Sequence, residues 1–214
     1  MSRYRAVAGA AALPLTFVAM LAATALAADD HDNAPLLRAA AVHPAGMLGA
    51  GWCEVAAGVL MLTGILALAD AVRERGARLA SVAATLGVLT AIAMSMVGIH
   101  RFVIVALTKA GDASGVNVLD HLDKLVPVVF PMLILEEVSL LLLVIAVVRA
   151  GLAGRPVLAG GIAFFVLGFL PGAGFEVAQL VVGLATFGAI AVELLRRPAV
   201  DREPAVLVGA PVAA

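Results

Sequence analysis

Six side chains able to carry charge stand inside long apolar runs of this chain: Glu54, His100, Arg101, Glu136, Glu137 and Glu176, with the amide of Gln179 one helical turn beyond the last. Charge in an apolar run is costly, so it marks either a functional site or a packing device. Carboxylates in such surroundings suit a proton, a cation or a small polar ligand. Arg101 is the certain cation of the group and the natural counter-ion. Four carboxylates against one guanidinium cannot all be ionised in a low-dielectric setting. The bland reading is that an Arg–Glu pair and its hydrogen-bonded neighbours only fix how helices pack.

Other chemistry finds little support. There is no phosphate-binding loop, dinucleotide fingerprint, zinc-protease motif or nucleophile elbow. Gly172-Ala173-Gly174 lacks the third glycine and a preceding strand, so it reads as a turn. Cys53, the one cysteine, cannot form an intramolecular disulfide or a thiolate cluster and reads as a small packing residue. Asp29-Asp30-His31-Asp32 and Asp120-His121-Leu122-Asp123 pair histidine with carboxylates, but neither has the spacing of a zinc or calcium loop. They read as solvated loops, and His31, His43, His100 and His121 all map to the outer side. A haem would draw axial ligands from within helices, where only His100 is near such a position. No cofactor and no metal are expected, and an enzymatic role has no nucleophile or metal motif behind it.

The elements that must position these residues follow from composition. With 63% hydrophobic residues, 14% charged and a mean hydropathy of +1.10, the chain lies far from the soluble norm. A span takes about 20 apolar residues. The runs predict helices at about 6–28, 45–68, 79–107, 125–148, 156–170 and 174–195. Pro171-Gly172 splits the last long run into a hairpin. The fifth span is short, which raises the question of how deep Glu176 lies. Residues 116–125 read as an amphipathic interfacial segment, and Trp52 and Tyr4 as interfacial anchors. The expected fold is therefore all-α: one polytopic membrane helix bundle of six transmembrane helices filling residues 1–214.

Spacing predicts which faces turn inward. Gly46, Ala50, Glu54 and Gly58 recur every four residues, and small residues at that spacing allow close helix contact. Gly87, Thr90, Met94, Gly98 and Arg101 form one stripe; Glu176, Gln179, Gly183, Thr186 and Ile190 form another. Glu136 and Glu137 lie about 100° apart on their helix, so at least one faces the interior. These stripes predict a polar cluster in the outer half of the bundle. Pro131, five residues before Glu136, is either a tolerated kink or an opening of backbone carbonyls onto a cavity.

Charge sets the orientation. Ten of the fourteen Lys and Arg fall on alternate loops that include both chain ends, which predicts cytoplasmic termini. Ala25-Leu26-Ala27 resembles a signal-peptidase site, yet the first apolar run is longer than a signal core, which favours a retained span. Cleavage would leave five spans in unchanged orientation. The arginine-led first helix, the long external loop, Arg149-Ala-Gly-Leu-Ala-Gly-Arg155-Pro156 and the closing Glu193-Leu-Leu-Arg196-Arg197 together resemble bacterial, actinobacteria-like six-helix membrane families of unknown function. That resemblance implies six helices and a plasma-membrane location, and carries no activity or site residues. The expected partners are the lipid bilayer, a small cation or polar solute, and a membrane-protein partner or second copy. Nothing points to nucleic acid. Two functions compete: solute or cation binding or movement through the polar cluster, and a non-catalytic accessory role in which the charges are structural.

Overall fold

Each apolar run folds as a helix, the form in which a backbone satisfies its own N–H and C=O groups away from water. The computed structural model describes residues 3–27, 33–72, 75–108 and 126–196. They form α1 (Arg3–Leu26), α2 (Asn33–Val42), α3 (Pro44–Ala71), α4 (Ala77–Thr108), α5 (Val126–Arg149), α6 (Arg155–Leu167) and α7 (Ala173–Arg196), with no strand among the described residues. The protein is all-α. Among the described residues α3, α4 and α7 are long and apolar enough to cross a membrane by length and composition, the mark of a membrane protein. The loops carrying His31 and His121, the 116–125 segment, and Lys109 and Lys124 lie outside the described residues.

Proline and glycine punctuate the helices as their chemistry requires. Pro44 and Pro156 occupy first-turn positions, where a missing N–H costs nothing. Gly76 (φ +97°) and Gly172 (φ +121°) make turns that other residues resist. Two boundaries depart from expectation. α2 forms within the stretch read as an external loop. α6 ends at Leu167, and Phe169 and Leu170 follow it in tighter turns, their N–H groups donating to the carbonyls three residues back.

Successive long helices run antiparallel and close into a ring: α1 packs on α3, α3 on α4, α4 on α5, α5 on α6, α6 on α7, and α7 on α1. α2 lies across the ends of α3 and α4, where Leu37 and Ala40 meet Met47, Ile104 and Val105. Small residues set a close seam between α3 and α4. A Cβ at Gly98 would stand 2.6 Å from the Gly51 carbonyl oxygen, so the α3 and α4 backbones touch there. Ser139 donates to the Ala83 carbonyl at 2.8 Å and Thr90 to that of Met132 at 3.2 Å, joining α5 to α4.

The connectivity gathers Arg3, Arg5, Arg75, Arg78, Arg149, Arg155 and Arg196 at one end, here the arginine end. From mid-depth to that end the interior holds no buried charge among the described residues and is mostly apolar, with buried hydroxyls such as those of Ser139 and Thr186. Phe17 stacks on Phe187 and meets Phe164 edge-on, both at 5.5 Å between centroids. Leu13, Met61, Ile65, Leu140 and Val144 pack around them.

Candidate functional site

The polar residues sit in the other half, away from the arginines. The predicted stripes do turn inward: Ala50, Gly58, Thr90, Met94, Gly98, Gly183, Thr186 and Ile190 are buried. Arg101 and Glu54 thereby face each other across the α3–α4 seam, with Arg101 Nε donating to Glu54 Oε1 at 2.8 Å. Both side chains are largely buried, 21% and 13% exposed. The guanidinium also leans on the Met47 sulfur, Nη1 to Sδ 3.9 Å. Glu54 Oε2 is buried and accepts no hydrogen bond among the described residues.

Beside this pair lies a cleft of about 290 Å³. One wall is α1, through Met20, Ala23, Thr24 and Ala27. The others are Glu54 of α3, Met94, Val97 and Arg101 of α4, Glu136 of α5 and Glu176 of α7. Glu136 is the most enclosed of the carboxylates, 7% exposed. Among the described residues it forms no hydrogen bond and no ion pair, while its side chain faces the cleft. Glu176 is exposed and stands at the mouth.

Glu137 takes the other direction, as the 100° step between neighbours demands. It accepts a short hydrogen bond from Gln179 Nε2 on α7. That contact closes over Gly168, where a Cβ would lie 2.6 Å from the Glu137 carboxyl carbon and 2.7 Å from Gln179 Nε2. So the single predicted cluster is two groupings. Glu54, Arg101, Glu136 and Glu176 share the cleft; Glu137 and Gln179 tie α5 to α7 beside the end of α6. His100, half-buried on α4, is not among the cleft-lining residues. Glu176 was expected to face inward with its stripe. It is exposed instead, because α6 stops at Leu167 and leaves the first turn of α7 without that neighbour.

Sequence reasoning missed the α1 wall. Met20, Ala23, Thr24 and Ala27 follow a 3–4 spacing that marks one helical face. The signal was weak because the Thr24 hydroxyl bonds within its own helix, to the Met20 carbonyl at 3.1 Å. Trp52 stands 66% exposed on the outer face of α3, its ring 5.1 Å from that of Phe102. Among the described residues no group of three or more His, Cys, Asp or Glu could hold a metal ion. No protein-family model, curated protein or solved structure matches the chain.

Proposed function

We propose that this is a bacterial plasma-membrane protein with six transmembrane helices and both termini in the cytoplasm, whose cleft binds or passes a small cation or polar solute from the outer side. The arginine end supports the orientation, since basic residues concentrate on cytoplasmic loops. Phe17, at the centre of the core, supports retention of the first helix. The 13 residues of α6 extend about 20 Å against an apolar layer of about 30 Å. Its uncharged tip, with Phe169, Leu170 and Phe175 exposed, then sits below the outer surface.

The observation that carries the ligand-binding reading is Glu136. A carboxylate this buried and without a hydrogen bond among the described residues is a large cost in a protein that only needs to pack. A ligand in the adjoining cleft would offset it. A second reading has one observation in its favour. The Arg101–Glu54 pair bridges α3 and α4 where Gly51 and Gly98 bring the backbones together, as a pure packing device would. The chain would then be an accessory to another membrane subunit.

Thermal unfolding of the purified protein against a panel of cations and small polar solutes separates the two. Any ligand of the native state raises the midpoint, and Glu136→Gln removes that rise if the cleft is the site. A flat response in the parent protein favours the accessory reading. Orientation is tested in a Cys53→Ser background: Arg38→Cys should react with an impermeant thiol reagent on intact cells, and Arg75→Cys only after lysis.

A further inference from the structure

Resting on the reading of the cleft as a binding site, we propose that its ligand is a small monovalent organic ammonium carrying N–H groups, held by the Glu136 carboxylate. Charge comes first. Arg101 and Glu54 neutralise each other through the 2.8 Å contact. That leaves Glu136 as the enclosed charge of the cleft without a partner among the described residues. With Glu176 exposed at the mouth, one enclosed negative charge is left unmatched and calls for one positive charge.

Hydrogen bonding narrows the class. Among the described residues the Glu136 carboxyl group accepts no hydrogen bond, and it lines the cleft. An ionised carboxylate is an acceptor only. A ligand with N–H donors satisfies it; a quaternary ammonium does not. Quaternary ions are usually held against aromatic faces, and among the described residues no aromatic side chain lines this cleft.

Size and lining argue against a bare divalent metal ion. A dehydrated divalent cation asks for about six to eight oxygens, and no group of metal-ligating side chains assembles among the described residues. The cleft's volume of about 290 Å³ far exceeds such an ion. Met20, Ala23, Met94 and Val97 offer thioether and alkyl surface to a short hydrocarbon body. Glu176, exposed at the mouth, adds negative charge where a cation would enter.

The test uses the full chain in detergent, with thermal unfolding followed in n-butylammonium, tetramethylammonium, sodium and calcium chlorides at matched ionic strength. At a hundredfold excess over Kd, n-butylammonium should raise the midpoint by at least about 5 °C. Tetramethylammonium and the metal ions should not, and Glu136→Gln should abolish the rise. Val97→Phe fills the cleft without touching a charge and should also abolish it, so the test survives a Glu136 variant that fails to fold. An equal rise with tetramethylammonium would show that N–H donors are not recognised and overturn the ligand class. A rise with sodium or calcium alone, lost in Glu136→Gln, overturns the class while leaving the cleft a cation site. No rise with any probe, with Glu136→Gln at least as stable as the parent, overturns both the class and the binding reading.

Discussion

Around Phe17, Phe164 and Phe187 the helices α1, α6 and α7 close on one another so tightly that Gly183 leaves no room for a methyl group: a Cβ there would stand 2.5 Å from the Phe17 ring. One to three turns further along α1, from Met20 to Ala27, the same helix borders an open cleft. Apolar residue types alone do not separate the two regions, since Met, Ala and Val line the cleft as they do the core; the cleft adds Glu54, Arg101, Glu136 and Glu176. What differs is α6. It reaches Phe164 and supplies a wall to the core, then stops at Leu167 and supplies none to the cleft. A short helix in a ring of long ones makes a cavity by omission, and the charged residues collect where the ring is incomplete.

The strongest way to break this comparison is Phe17→Ala. Phe17 is 1% exposed and touches two other rings, so truncation should cost about 3–5 kcal/mol in denaturant unfolding from micelles. Val97→Ala, on the cleft wall, should cost far less, because its side chain already borders empty volume. Equal losses would mean that the cleft is as tightly packed as the core.

Arg101→Ala comes next. It strands Glu54 in a mostly buried position. With the pair 21% and 13% exposed, solvent screens part of the penalty, so the loss should be about 1–3 kcal/mol. Adding Glu54→Gln should recover a good part of it, as removal of both charges leaves nothing unpaired. No recovery in the double variant would show that Arg101 matters through its packing against Met47 and not through charge.

How far these features were legible in the sequence depends on what each one required. The long helices needed only run length and the punctuation of Pro44, Pro156 and Pro171. The inward stripes of α3, α4 and α7 needed only helical period, and Gly98, Thr90 and Gly183 are buried as their spacing implies. α2 was hidden because ten residues containing Pro35 and Arg38 show too little period for a helix on their own; packing of Leu37 and Ala40 on α3 and α4 accompanies it. The opposed directions of Glu136 and Glu137 followed from geometry, but which one met the cleft did not. That depended on where α6 ends relative to α5, a tertiary fact. Glu176 shows the same limit: its stripe is regular, yet the neighbour that would bury it stops short.

Gly168→Ala sharpens the role of that ending. The new methyl would stand 2.6 Å from the Glu137 carboxyl carbon and 2.7 Å from Gln179 Nε2. Both belong to side chains that can shift, so the cost should be moderate, about 1–2 kcal/mol by thermal unfolding. Glu137→Gln and Gly168→Ala should then be non-additive, since both act on the link between α5 and α7. Simple additivity would detach Gly168 from that link.

The smallest effect is the most local form of the same contrast. Gly183 and Gly188 lie five residues apart on α7. A Cβ at Gly183 meets Phe17, whereas one at Gly188 meets nothing within 4 Å. Helix propensity favours alanine at both by about 0.5–1 kcal/mol. At Gly188 that gain stands alone, so Gly188→Ala should raise stability slightly. At Gly183 the aromatic stack must yield first, and the same substitution should lower it. A rise at both positions in thermal unfolding would mean that Phe17 can step aside at no cost, and that the core is no more tightly closed than the cleft.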